Sequence, residues 1–91
     1  DIRLSSSLSL IEEGVSELKI YPNPVNKVLK VRSSDIINSY ELYDVRGRVI
    51  LIENNLNEKN FEIDISNLHS DMYILNTYSK TKHESFKILK N

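Results

Sequence analysis

Hydrophobic and polar residues alternate along most of the chain after residue 16. Leu29 and Val31 flank Lys30, and residues 61–65 repeat the pattern with acidic residues in the polar positions. A period of two is typical of β-strands that bury one face. Seven segments show this pattern or a short apolar run, at residues 18–20, 29–31, 40–42, 48–53, 61–65, 72–78 and 85–90. Because no segment makes a convincing helix, these spacings predict an all-β antiparallel sandwich of about seven strands.

The third and fourth strands are joined by a recognisable turn. DVRG, residues 44–47, has Asp at the first position of a type I turn and Gly at the fourth. Gly47 is therefore predicted to adopt the left-handed conformation that closes a bulged hairpin. The next segment, RVILIE at residues 48–53, is apolar on both faces, which predicts a strand covered on both sides.

Both prolines of the chain fall in one short segment, YPNP at residues 21–24. Proline has no N–H to donate to a ladder, so Pro22 and Pro24 are predicted to lie outside any central strand. Each also holds the preceding residue in an extended conformation. The segment is predicted to be a stiff elbow at which the chain leaves one sheet for the other.

Residues 1–16 differ from the rest in composition. Leu4, Leu8, Ile11 and Val15 fall at helical spacing, but serines and Gly14 weaken a helix there. A flexible linker is the favoured interpretation, and a docked strand or helical turn is the alternative. The start of the chain also lacks the cationic and apolar regions of a secretory signal peptide.

Composition excludes several classes of function but does not identify the cellular compartment. The chain has 91 residues, a net charge of −1, a pI of about 6.1 and no cysteine. The absence of a basic footprint argues against nucleic acid as a partner. Without cysteine there is neither a thiolate nucleophile nor a sulfur-ligated metal.

No residue pattern predicts catalysis, a cofactor or a metal. His69 is expected in a turn and His83 in the polar loop of residues 79–85, both exposed and outside any metal-ligand spacing. Asp44 is expected to cap its own turn, Asp64 to lie on a solvated strand face and Asp71 to lie in a loop. The five tyrosines are mostly expected in the core or as cross-strand partners, with a stacking platform as the minor alternative.

Lysines gather near the end of the chain, at positions 80, 82, 87 and 90. One interpretation is edge protection, because lysines on a terminal strand discourage edge-to-edge pairing. The other interpretation is that these lysines form a basic C-terminal segment recognised by a partner protein.

Four stretches taken together resemble the C-terminal sorting domain of type IX secretion substrates in Bacteroidota. They are KIYPNPVNKVLKV (19–31), YELYDVRGRVIL (40–51), IDISNLHSDMYIL (63–75) and SFKILKN (85–91). The family pattern is YPNP before an alternating strand, D-x-x-G-R, a DLSxLxxGxY element and a closing strand that contains lysine. The resemblance covers residues 17–91 in the expected order and spacing.

This resemblance implies an immunoglobulin-like sandwich that serves as a non-catalytic export signal for an upstream cargo domain. The implied partners are the type IX outer-membrane translocon, its shuttle proteins and a sortase of the cysteine-protease type. The sortase would cleave within the linker of residues 1–16. The implied localisation is the periplasm in transit, then the cell surface or the extracellular space.

Residues carried over from the family divide into two groups. Lys87, Lys90 and Asn91 are the candidates for recognition by the translocon or the sortase. The motif residues with expected structural roles are Tyr21, Pro22, Asn23, Pro24, Asp44, Gly47, Arg48, Ile65, Leu68 and Tyr73.

Two positions depart from the family pattern, since Asp71 replaces its usual glycine and His69 its frequent proline. This departure puts the local turn geometry in question. The alternative function is a fibronectin-like binding or adhesion module of a secreted enzyme, which requires an exposed aromatic cluster.

Overall fold

The alternating segments form strands throughout residues 18–91, the part of the chain described by the computed structural model. Seven strands occur in this range, and no helix accompanies them there. Their bounds are β1 (Leu18–Tyr21), β2 (Val28–Ile37), β3 (Ser39–Asp44), β4 (Val49–Glu53), β5 (Glu58–Asp64), β6 (Asp71–Tyr78) and β7 (His83–Lys90). The predicted all-β fold is confirmed, while the boundary between residues 16 and 17 stays a prediction because the linker lies outside the described residues.

The strands form two antiparallel sheets. One sheet has three strands in the order β1-β2-β5, and the other has four in the order β4-β3-β6-β7. β1 lies on the same side of the molecule as β7, because Val25, just after β1, bridges to Lys90. β5 lies over β3, where Phe61 stacks on Tyr40 with ring centroids 5.4 Å apart. The arrangement is the expected immunoglobulin-like sandwich.

Alternate residues of the strands fill the space between the two sheets. Because successive side chains on a strand point to opposite faces, one apolar residue in two reaches the core. In β2 these residues are Leu29 and Val31, while Lys30 and Arg32 face outward. The full core cluster is Val25, Leu29, Val31, Leu42, Ile63, Ile65, Tyr73, Leu75 and Ile88.

The prediction that residues 48–53 form a strand covered on both sides is wrong. β4 is an edge strand, and Val49 and Ile52 are 48% and 51% exposed. A short apolar run has the same sequence signature whether both its faces are buried or not, so the pattern alone did not distinguish the two cases. No described residue forms a third layer over this part of the sheet.

Both predicted turn features are confirmed. Gly47 has a φ of +85°, and its N–H donates to the carbonyl oxygen of Asp44 at 3.0 Å. The register between β3 and β4 then shifts by one residue, because Leu42 pairs with Leu51 whereas Tyr43 pairs with Val49. This second irregularity leaves Ile50 as a bulge within β4, separate from the predicted bulge at Gly47 and Arg48, where the N–H of Asp44 donates to the carbonyl oxygen of Arg48.

The proline segment crosses between the sheets as predicted. Pro22 and Pro24 lie between the last residue of β1 and Val25, and both of their preceding peptide bonds are cis. Val25 is fully buried against the opposite sheet before β2 returns to the first. The predicted loop positions of Asp71 and His83 are wrong, because these residues begin β6 and β7.

Candidate functional site

The sequence motifs meet at one end of the sandwich, which we call the motif end. It comprises residues 22–27, 44–48, 64–71 and 88–91. Strand pairing demonstrates their proximity, since Asp44 pairs with Tyr73, Tyr73 with Ile88, and Asp71 with Lys90. The N–H of Ile65 also donates to the carbonyl oxygen of Lys27 at 2.8 Å. Motifs that are up to about 70 residues apart in the chain therefore form one continuous region.

The YPNP segment covers the free edge of β7. Leu89 donates its N–H to the side-chain oxygen of Asn23 at 2.9 Å, and the side-chain nitrogen of Asn23 donates to the carbonyl oxygen of Lys87 at 3.0 Å. The Asn23 side chain thus takes the place of a peptide group in a neighbouring strand. Val25 continues the pairing by donating to Leu89 at 2.8 Å and accepting from Asn91 at 2.9 Å. The end of the chain is consequently held by four hydrogen bonds.

Asp44 organises the turn between β3 and β4. Its carboxylate accepts the N–H groups of Arg46 and Arg48, each at 2.9 Å, and the Nε–H of Arg48 at 2.7 Å. The hydrogen bonds from Arg48 and Arg46 lower the pKa of Asp44 against the opposing effect of burial. The predicted capping role of Asp44 is confirmed, and Arg48 is its ion-pair partner.

Tyr73 fixes the connection that precedes β6. Its ring is buried, and its hydroxyl donates to the carbonyl oxygen of His69 at 2.8 Å. A tyrosine near the start of this strand that bonds to backbone a few residues upstream is the tyrosine corner of immunoglobulin-like folds. Ile65 is buried, Leu68 packs against the core, and the N–H of Leu68 donates to the carbonyl oxygen of Ile65.

The two departures from the motif fit without strain. The non-glycine residues with positive φ in residues 18–91 are Asn55 and Asn57, so neither His69 nor Asp71 needs the left-handed conformation. The Asp71 carboxylate instead accepts the N–H of Met72 at 2.8 Å. Just upstream, Asp64 accepts both the N–H and the hydroxyl of Ser66, which lowers the pKa of Asp64.

Comparison with known proteins identifies this arrangement of motifs. The family described as the secretion system C-terminal sorting domain matches residues 19–91. The chain belongs to this family. It carries the C-terminal sorting domain of the type IX secretion system, which marks a secreted protein for passage through the outer membrane. Neither the curated proteins nor the solved structures gave a match.

The three recognition candidates of the sorting domain have different environments. Lys87 is exposed on the outer face of the four-stranded sheet. Lys90 is only 8% exposed, and its Nζ donates to the main-chain oxygen of Asn91 at 3.0 Å. Asn91 is exposed, but its N–H is bound to Val25. The three residues are close in the chain without forming one cationic cluster on the surface.

Sequence reasoning missed an apolar part of this surface. Met72 and Leu89 pair across β6 and β7 and are 40% and 45% exposed. Together with Asn23, Pro24 and Lys87 they line a shallow groove of about 270 Å³. The signal was available, because Leu89 shares its strand face with Lys87 and both were therefore due to face outward.

Four of the five tyrosines of the sorting domain make internal contacts, whereas Tyr21 at the end of β1 is 38% exposed. Tyr43 and Tyr78 both donate their hydroxyls to the Glu41 carboxylate, at 2.9 and 2.8 Å, and these hydrogen bonds raise the pKa of each phenol. Tyr78 also stacks on the exposed ring of His83, with centroids 4.7 Å apart. Burial is the main cause of the raised pKa values of Tyr40 and Tyr73.

The described part of the sorting domain contains neither a metal-type cluster nor a membrane-spanning helix. No group of three or more histidine, aspartate or glutamate side chains is arranged to hold a metal ion there. None of the residues 18–91 belongs to a helix long and apolar enough to cross a membrane.

Proposed function

We propose that the motif end is the surface by which the type IX translocon and its shuttle proteins recognise this domain. The observation that carries the proposal is the anchoring of β7 by Asn23 and Val25. It presents Lys87 and Leu89 on a fixed strand, next to a groove that suits an apolar side chain of a partner. The domain performs no reaction of its own and directs an upstream cargo domain from the periplasm across the outer membrane.

We further propose that a sortase of the cysteine-protease type cleaves the chain within residues 1–16. Serine-rich segments of this kind suit a protease, because small polar residues pack poorly against a folded domain. Cleavage would separate the cargo from the sorting domain at the cell surface. The released or anchored cargo would then be cell-surface or extracellular.

An export assay tests recognition at the motif end. A folded carrier protein is fused upstream of residues 1–91 and expressed in cells with the type IX translocon and in cells that lack it. Export is expected only with the translocon, and the substitution Lys87→Glu should reduce it strongly. The matched control is Lys82→Glu, which reverses the charge of an exposed lysine in the β6–β7 turn. Equal export by the two variants would contradict recognition through Lys87.

Mass spectrometry of the exported carrier tests cleavage. In cells with an active sortase the carrier should end within residues 1–16, and in a sortase mutant it should retain residues 18–91. Retention of the whole domain in both strains would refute the cleavage proposal while leaving the sorting role intact.

The alternative of an adhesion module gains little from the geometry. It requires an exposed aromatic cluster, whereas Tyr73 is buried and Tyr40, Tyr43 and Tyr78 are half-buried. The hydroxyls of two of these rings are already bound by Glu41. We therefore retain the sorting role as the proposed function.

A further inference from the structure

The outer face of the three-stranded sheet presents two rows of exposed polar and aromatic side chains. Residues directly opposite each other on neighbouring strands share a face of the sheet, so the pairing of β1, β2 and β5 defines these rows. The first row is Lys19, Arg32 and Asn60. The second row is Tyr21, Lys30 and Glu62. Each of these side chains is exposed.

Positive charge is concentrated on β1 and β2 of this face. Lys19, Lys30 and Arg32 form no ion pair within residues 18–91. Like charges directly opposite each other in a sheet are destabilising, and the row of Lys19 and Arg32 contains no acidic residue. The acidic residues of the face are Glu62, opposite Lys30, and Asp64, and both lie on β5 at the other edge of the sheet. An anion placed between Lys19 and Arg32 would relieve their repulsion.

Tyr21 adds an exposed aromatic ring to the same face. It is 38% exposed, and no other tyrosine or phenylalanine of residues 18–91 is exposed to this extent. Two shallow grooves of about 510 and 340 Å³ share Tyr21, Arg32 and Asn60 as lining residues. Adjoining grooves of this kind suit an extended ligand that passes over the ring and the cations together.

The side chains of the grooves select the class of ligand. The guanidinium group of Arg32 can bind a carboxylate with two hydrogen bonds, and the amide of Asn60 can donate to and accept from hydroxyl groups. The ring of Tyr21 can pack against the apolar face of a sugar. A lipid surface or an amphipathic peptide would require exposed aliphatic side chains, and none of those in residues 18–91 lines either groove.

We propose that this face binds an acidic polysaccharide, a glycan chain that carries carboxylate groups on its sugars. Arg32 and Lys19 bind one carboxylate, Tyr21 packs against a neighbouring sugar ring, and Lys30 meets a second carboxylate. The activity goes beyond the sorting function and is independent of it, because the face belongs to the sheet that does not contain β7.

Calorimetric titration of the 91-residue chain with a short oligogalacturonate tests the proposal, and a neutral malto-oligosaccharide of equal length is the control ligand. The acidic ligand alone is expected to bind, and its affinity should fall as the salt concentration rises. Arg32→Gln should weaken binding by about 10-fold or more, because the bidentate contact is lost. The matched control is Arg46→Gln, which neutralises an exposed arginine in the β3–β4 turn and should bind like the wild type.

Thermal unfolding separates an effect on binding from an effect on folding. Arg32→Gln should raise the midpoint of unfolding slightly, because it removes one of two like charges that face each other across β1 and β2. Tyr21→Phe keeps the ring and should keep the affinity, whereas Tyr21→Ala should weaken binding by about 3- to 10-fold.

Several results would overturn the proposal. These are no binding by the wild type at about 1 mM ligand, equal weakening by Arg32→Gln and Arg46→Gln, and equal binding of the acidic and neutral oligosaccharides. Preference for oligothymidylate or polyglutamate over oligogalacturonate would assign the face to a nucleic acid or an acidic protein, and would overturn it as well.

Discussion

The two edge strands of the four-stranded sheet, β7 and β4, present opposite solutions to the same problem. Each has one side without a neighbour in its own sheet. β7 carries two lysines beside its apolar residues and has part of its edge covered by Asn23 and Val25. β4 is short, almost entirely apolar and uncovered by any described residue. One edge is covered by another segment of the same domain, whereas the other is left open within residues 18–91.

The two edge strands differ in how much they contribute to the hydrophobic core. β7 contributes Ile88 to the core and pairs along its full length with β6. β4 contributes only half-buried residues to the core and pairs with β3 alone, next to the turn that Asp44 organises. A strand that is integral to the core can present a recognition surface in a fixed geometry, whereas a peripheral strand contributes less to stability. The following predictions test this contrast in order of expected effect.

The largest effect is expected when an isoleucine side chain is truncated on each of the two strands. Ile88→Ala should lower the free energy of unfolding by about 3 kcal/mol, because Ile88 is fully buried and the substitution leaves a cavity. Ile52→Ala on β4 should cost less than about 0.5 kcal/mol, because Ile52 is half exposed. Chemical denaturation of dilute protein measures both values, and similar losses would show that the two strands do not differ in this way.

Removal of the amide that covers β7 comes next. Asn23→Ala should cost about 1–2 kcal/mol, since it removes two hydrogen bonds at positions where water partly replaces them. Hydrogen exchange at Leu89 should become faster, while exchange in β4 stays unchanged. Asn26→Ala, which alters an exposed asparagine next to Val25, is the control.

A charge variant refines this result. Asn23→Asp keeps an acceptor for the N–H of Leu89 but loses the donor to Lys87, so its stability should lie between wild type and Asn23→Ala. Equal protection of Leu89 in Asn23→Ala and wild type would rule out the covering role of Asn23.

Loss of the Tyr73 hydroxyl is expected to have a smaller effect. Tyr73→Phe should cost about 1 kcal/mol, because one hydrogen bond to the carbonyl oxygen of His69 is lost while the ring stays in the core. The change should accelerate hydrogen exchange in residues 66–71 and leave the β3–β4 turn unaffected. Tyr78→Phe, which removes a hydroxyl from the outer face of the same strand, is the comparison.

The smallest effect should appear on acidification. The folded-state pKa of Asp44 is lowered, so its contribution to stability is present above the ordinary value of 3.8 and is lost as pH falls towards the folded value. The amides of Arg46 and Arg48 should therefore lose protection below about pH 4, while Leu89 and Asn91 keep theirs, since their acceptors on Asn23 and Val25 do not titrate. Asp44→Asn should abolish this pH dependence in the β3–β4 turn. Parallel loss of protection at both edges would contradict the assignment to Asp44.

Much of the fold was predictable because it depends on local chemistry. Alternation located the strands, the two prolines located the crossover, and DVRG specified a turn that requires positive φ at Gly47. The family motifs were also recognisable in the sequence. The structural roles expected of Asp44 and Tyr73 correspond to hydrogen bonds with Arg48 and His69. The site was less predictable. Lys90 would belong to an alternating strand whether its side chain faced inward or outward. Its inward position, opposite Asp71 in the sheet, explains its burial.

The sequence by itself determined which residues form strands, where the chain turns and which family it belongs to, because these depend on periodicity and on residues adjacent in the chain. Only the tertiary structure decided that Asn23 covers β7 and that β4 lies uncovered at the other edge. An apolar run has the same pattern at the centre of a sheet and at its border. Strand order is set by contacts between residues far apart in the chain, and it decides which backbone groups are left for a partner.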